Sequence, residues 1–194
     1  PRSCHKAEPA EYAAVLARMH AAEMLELTAQ QSDHPLGVFG VWKVAGEVLR
    51  LIVDGRPANY FFRTPEYEHT GGDSLARIQV DDGMRLEVAK CDLADFFHCC
   101  EAPVAVRPYL GLRRVLAADL RAAGVVVPSK AVDARGYTWP RLTTLPMGWK
   151  PSPGIAQGSH EAVLYGSSGR GSDRARSLPP VLEPAARWSS VVSS

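Results

Sequence analysis

An α+β fold built around antiparallel strands is what this sequence predicts, on three observations. Between Glu8 and about Glu26 the apolar residues Tyr12, Val15, Leu16, Met19, Met24 and Leu27 recur at steps of three and four among many alanines, the period of an amphipathic helix. Leu36 to Val44 and Val48 to Val53 are rich in β-branched and aromatic residues, and they flank Ala45-Gly46-Glu47, a spacer short enough for a hairpin turn. Ser152-Pro153 opens a second helix that runs to about Tyr165, with Ser as N-cap, Pro in the first helical position and Gly166 after its end.

The remaining elements follow from local punctuation. Pro57, Pro65 and Gly71-Gly72 break residues 57–74 into loop and turns, a natural place for a functional surface loop. Leu86 to Cys91 alternates as a strand that ends on Asp92, and Ala94 to Cys100 makes a short helix closed by Pro103. Tyr109 to Val115 is a further expected strand. Leu116 to Ala123 has helical composition and stops at Gly124, and residues 124–136 read as an insertion before a strand from Tyr137 to Leu145. Past Gly166 the composition changes to Ser, Gly, Pro and Arg with few apolar residues, so 166–194 is expected to be a disordered tail. No repeat of fixed period is present.

Composition bounds the function. The chain has 194 residues, 46% of them hydrophobic and 22% charged, and 22 Lys and Arg against 21 Asp and Glu leave a net charge of +1. That is the profile of a soluble globular protein, and any basic surface on it has to be local. The apolar runs fall well short of the ~18 residues that cross a bilayer, and no signal segment opens the chain. Cys4, Cys91, Cys99 and Cys100 suit neither a disulfide scaffold nor a paired zinc site. We therefore expect no membrane partner and a reducing, intracellular setting, cytoplasmic or nuclear. The chain begins at Pro1 rather than Met, which leads us to expect that it is cut from something longer.

Asp92 and Asp95 stand where a strand gives way to a helix, a setting in which a rigid backbone presents oxygens to a hard cation such as Mg²⁺. By themselves two acids at this spacing serve equally as an N-cap and a solvated side chain. Three segments in order sharpen the reading. The first runs Lys43-Val-Ala-Gly-Glu-Val-Leu-Arg50-Leu-Ile-Val-Asp54-Gly-Arg56-Pro-Ala-Asn59. The second is Asp92-Leu93-Ala94-Asp95-Phe96-Phe97. The third is Leu145-Pro146-Met147-Gly148-Trp149-Lys150-Pro151-Ser152-Pro153-Gly154-Ile155-Ala156-Gln157. Together they resemble the fingers hairpin with its Arg-x-x-x-Asp-x-Arg-x-x-Asn continuation, and the first and second palm motifs, of the reverse transcriptase domain of retroelements. Arg107-Pro-Tyr-Leu-Gly-Leu also looks like the divergent, protist-type members, and the resemblance covers about residues 10–165.

What the resemblance implies is a fingers β-hairpin and a partial palm: helix and fingers over 1–90, palm over 91–165, tail over 166–194. It makes Asp92 the catalytic, metal-binding carboxylate, with the backbone carbonyl of Leu93 beside it and Mg²⁺ or Mn²⁺ as cofactor. Lys43 and Arg50 would clamp the triphosphate, as cations on a mobile hairpin can. Asp95, Phe96, Phe97 and Gln157 would line the nucleotide pocket, with Phe97 facing the sugar and favouring deoxynucleotides. Arg56, Asn59, Pro146 and Gly148 would meet the template-primer, Gly148 by allowing close backbone approach. The implied partners are an RNA or DNA template-primer and deoxynucleoside triphosphates. Plainer roles stay open: solvated strand charges for Lys43 and Arg50, core packing for Phe96 and Phe97. Met147 departs from the Gln common in retroviral relatives. His98 with Cys99 and Cys100 lacks a second ligand pair for a metal, so a buried or incidental role is expected.

The family's third palm motif, two adjacent Asp on a hairpin, is missing. After Pro153 the acids are Glu161, Asp173 and Glu183, none adjacent to another. The expectation is therefore a fragment of an RNA-directed DNA polymerase, inactive alone, whose palm hairpin and thumb belong to a missing segment of a parent polyprotein. The alternative is a non-catalytic nucleic-acid-binding or scaffolding remnant of a retroelement.

Overall fold

The computed structural model describes residues 8–44, 48–63, 76–87 and 93–166. Over these the chain is mixed α and β, with two small antiparallel sheets. Helix α1 (Pro9–Ala21) leads into β1 (Leu25–Thr28), and a hairpin of β2 (Gly37–Val44) and β3 (Val48–Asp54) follows. A single helical turn, α2 (Arg56–Asn59), closes that hairpin. Beyond it come α3 (Phe96–Cys99), a 3-10 helix (Val104–Leu110), β4 (Val115–Leu116), α4 (Ala117–Ala122), β5 (Tyr137–Leu142) and α5 (Ser152–Gly166).

The main sheet has the order β1-β5-β4, so it takes one strand from before residue 90 and two from after it. Leu25 stands opposite Leu142 and Leu27 opposite Pro140, while Val115 faces Thr138. Leu25, Leu142 and Val115 are buried with Leu16, Met19 and Leu120, so α1 and α4 supply the apolar stripe that this sheet needs against it. Ala13, Leu16 and Met19 form the buried stripe of α1 at a three-residue step.

The first helix is shorter than its pattern predicts. It ends at Ala21 instead of about Glu26, because Leu25 is claimed by pairing with β5. The reversal is made at Glu23, which takes a left-handed φ of +59°. Its carbonyl accepts a 2.6 Å bond from the Thr143 hydroxyl, which holds this uncommon conformation in place. Met24 and Leu27 stand three apart while Leu25 and Leu27 stand two apart, so the sequence alone does not separate helix from strand here.

Two further expectations are corrected. The strand expected from Tyr109 to Val115 is a 3-10 helix through Leu110, followed by isolated pairing at Gly111 and Leu112 and a two-residue β4. Pro103 and Pro108 fix φ near the helical value, and Pro108 has no N–H for a ladder. Residues 124–136 are no loose insertion: Val125, Val127 and Ala131 are buried, the first two in the main core. Gly124 does end the preceding helix with a φ of +88°. Leu86 and Glu87 are exposed and outside any strand, while the rest of that expected strand lies outside the described residues, as do 64–75 and the tail 167–194. Among the described residues no helix is long and apolar enough to cross a membrane.

Candidate functional site

The hairpin and the helix-leading loop meet backbone to backbone. Gly55 follows β3 and lies against Gly148, and a Cβ on Gly55 would press into the Gly148 carbonyl oxygen and stand 2.8 Å from the Trp149 nitrogen. Gly148 itself adopts a φ of +110°, a conformation that L side chains rarely take. Asn59 locks the contact. Its Nδ2 donates to the Gly148 carbonyl at 2.8 Å, and its Oδ1 accepts from the Lys150 N–H at 2.7 Å. One side chain thus satisfies two backbone groups of a loop distant in sequence, which fixes that loop relative to the hairpin.

The loop is braced from beneath. The buried Ser152 hydroxyl donates to the Pro146 carbonyl at 2.7 Å, so Ser152 is the first residue of α5 and closes the loop, where the sequence predicts an N-cap. Trp149 is 1% exposed and sets its ring edge-on against Phe62 at 5.1 Å. Phe62 meets Tyr109 at 5.3 Å, Tyr109 meets Phe61 at 5.4 Å, and Phe61 meets His34 at 5.0 Å. This chain of rings seats the junction on the core. Of the four residues expected at the template-primer, Asn59 and Gly148 are in direct contact. Pro146 anchors the same loop, and Arg56 opens the same helical turn as Asn59.

Arg56 is presented outward with its side chain 88% exposed, gripped by the Asp54 carboxylate in a two-pronged pair. That hydrogen-bonded guanidinium holds the Asp54 carboxyl below its ordinary value of 3.8. A depressed carboxylate pKa contributes stability that is complete above the unfolded value and is lost as pH falls through the folded one. The stability difference between the wild type and Asp54→Asn should therefore be constant from pH 7 down to about 4 and shrink below it. Chemical denaturation at a series of pH values measures this, and a difference that ignores pH would remove the pairing.

The expected nucleotide pocket is described in part. Asp92 lies outside the described residues. Leu93 and Asp95 are exposed, and Asp95 takes a left-handed φ of +50° while its carbonyl accepts the His98 and Cys99 N–H groups, starting the one-turn α3. Phe97 is half-buried and packs against the core. Phe96 sets its ring edge against His160 of α5 at 6.0 Å, which brings α3 to the helix that carries Gln157. Gln157 is half-buried, and its Nε2 donates to Glu161 at 2.9 Å one turn on. Lys43 and Arg50 are both exposed on the hairpin; Arg50 pairs in register with Val41, and Lys43 sits at the irregularity between Trp42 and Val44.

Among the described residues no three His, Cys, Asp or Glu side chains are placed to hold a metal ion. Of the two expected metal ligands, Asp92 and the Leu93 carbonyl, only Leu93 falls among the described residues, and a backbone carbonyl needs a carboxylate and substrate phosphates beside it to hold Mg²⁺. The adjacent acids Asp81 and Asp82 lie on an exposed turn before Asp92 in sequence, not after Gln157. Burial pushes the Cys100 thiol above its ordinary value, with adjacent Cys99 adding to it, so it is a poor nucleophile. Sequence reasoning missed Arg107, which is half-buried and ties Glu26 of β1 to Glu101 after α3. Its signal was its place at the head of the Arg107-Pro-Tyr-Leu-Gly-Leu run, which said nothing of its two carboxylate partners.

Compared with known proteins, the chain matches no protein-family pattern, and no curated protein is significantly similar to it.

Proposed function

We propose that this chain is a fragment of an RNA-directed DNA polymerase, a reverse transcriptase, which binds template-primer and deoxynucleoside triphosphate without polymerising alone. The observation that carries the reading is the Asn59–Gly148 junction: groups 89 residues apart, each drawn from a different motif of the resemblance, form one hydrogen-bonded unit beside an outward-held Arg56. The two glycines let the hairpin and the loop close on each other, and an exposed guanidinium beside this fixed junction is a group that a phosphodiester chain can approach. The contact of α3 with α5 supports a nucleotide pocket in the same sense, since it groups Phe96 with the helix bearing Gln157. When bound, Mg²⁺ or Mn²⁺ supplies charge neutralisation of the phosphates, and Asp92 with the Leu93 carbonyl would hold it. Arg56 and Asn59 position template, and the Lys43 and Arg50 cations attract the triphosphate.

The test is template-directed incorporation by the purified chain with Mg²⁺ or Mn²⁺, alongside oligonucleotide binding over a range of salt. Binding that weakens with salt, without primer extension, is the expected result. Extension that disappears in Asp92→Ala would overturn the claim of inactivity. A chain that binds no oligonucleotide even at low salt would overturn the polymerase reading itself.

A further inference from the structure

Along β5 the side chains of Tyr137, Trp139 and Arg141 share one face of the sheet, opposite the face that carries Leu142 into the core. Arg114, just before β4, lays its guanidinium over this row, 4.2 Å from the Tyr137 ring centre and 5.9 Å from that of Trp139. The next arginine back, Arg113, turns the other way and lies 4.7 Å over Tyr12. Arg114 is thus the wall between two clefts. The larger, about 420 Å³, also holds Arg113, but Glu8 and Asp119 line it and oppose an anion there. The smaller, about 210 Å³, is lined by Gln31, Arg114, Asp133, Arg135 and Trp139.

In the smaller cleft the single acid is already committed. Asp133 accepts the Arg135 and Tyr137 N–H groups at 2.9 Å each on one oxygen, and the Trp139 indole N–H at 3.4 Å on the other. These bonds, that of Tyr137 foremost, hold its carboxyl below the ordinary range, with Arg114 adding a smaller pull. Asp133 therefore shapes the turn, in which Gly136 takes a φ of +82°, and does not pair directly with either arginine. Among the described residues no carboxylate stands within ion-pairing distance of Arg114 or Arg135. A guanidinium held over an aromatic ring is partly oriented before it binds anything, and Arg114 is exposed.

We propose that Arg114 and Arg135, with Gln31, form a second nucleic-acid surface that takes the phosphodiester backbone of a single strand. The guanidinium edges grip phosphate, and Arg114, held over Tyr137, offers an unpaired base a face to stack on. The choice of nucleic acid as partner rests on the polymerase reading; the two arginines without a paired carboxylate do not. The surface is built from other elements than the Asn59–Gly148 junction, and in a polymerase it would guide the strand outside the template contact.

The experiment is fluorescence anisotropy of the full chain with a short labelled oligouridylate and its deoxythymidylate counterpart across a salt series. Variants are Arg135→Gln, the double change Arg114→Gln with Arg135→Gln, and Arg56→Ala. The double change should weaken binding about tenfold or more, and flatten the slope of log affinity against log salt by about 1.4, the value for two phosphate contacts to a single strand. Arg135→Gln alone should give about half that flattening. Arg135 is exposed and its bond to Asp133 is made by the backbone N–H, so this variant answers even if the double change fails to fold. Unchanged slope and affinity in Arg135→Gln overturn the surface, and if Arg56→Ala still weakens binding, the polymerase reading survives that loss. Weakening by Arg135→Gln with none by Arg56→Ala keeps the surface and removes the template assignment. Displacement by an acidic peptide as effective as by unlabelled oligonucleotide overturns the nucleic-acid assignment, as does a wild type that binds neither strand.

Discussion

Gly55→Ala is expected to lower the melting temperature by roughly 6–12 °C, from about 3 kcal/mol of lost stability in a chain of this size. The new Cβ meets only backbone: the Gly148 carbonyl, its carbon at 2.6 Å, and the Trp149 nitrogen at 2.8 Å. A side chain could swing aside; these atoms are pinned by Asn59 on one side and by the Ser152–Pro146 bond on the other. Relief requires the loop to leave the hairpin, which strands the Gly148 carbonyl and the Lys150 N–H without their partner. If the chain binds oligonucleotide as proposed, the same variant should lose affinity for it, since Arg56 and Gly148 would no longer stand together. Gly158→Ala is the control: nothing lies within 4 Å of its Cβ, and in the interior of α5 alanine should stabilise by about 0.5–1 kcal/mol. Differential scanning calorimetry on the three proteins decides it, and a Gly55→Ala protein that melts with the wild type removes the close approach as a structural constraint.

How much of this was legible in the sequence depends on the range of the interaction. The hairpin was, because Val, Ile, Phe and Trp declare strands locally and a three-residue spacer leaves few ways to join them. The start and length of α5 were legible from Ser152-Pro153, and the stop of α4 from Gly124. What failed did so where a distant partner overrode a local preference. Leu25, within the range of the expected helix, pairs with Leu142 in the sheet instead, and Tyr109 and Leu110, at the start of the strand expected from Tyr109 to Val115, end a proline-bearing 3-10 helix. The candidate site divides the same way. Gly148 and Asn59 were singled out by their motifs, but that one amide serves both sides of a single loop is a matter of geometry at a separation of 89 residues. Arg114 carried no signal, because its value comes from Tyr137 and Trp139 falling on one face of a strand that begins 23 residues later.

Trp149→Ala should be the most damaging single change, at about 4 kcal/mol, or a fall in melting temperature of roughly 8–16 °C. Trp149 is 1% exposed and is the link by which the Pro146–Pro151 loop joins the rings of Phe62, Tyr109, Phe61 and His34. Its removal leaves a cavity between backbones that are pinned elsewhere, so the site cannot collapse to fill it. Among the described residues the buried indole N–H has no partner, so Trp149→Phe gives up packing volume without losing a hydrogen bond to them. Phenylalanine should accordingly recover much of the loss and keep an edge-on contact with Phe62. The order of stability wild type, then Phe, then Ala is the expected outcome of urea denaturation. Trp149→Ala within 1 kcal/mol of the wild type would mean that the ring chain does not seat the loop, and that the Asn59 bonds alone hold the junction.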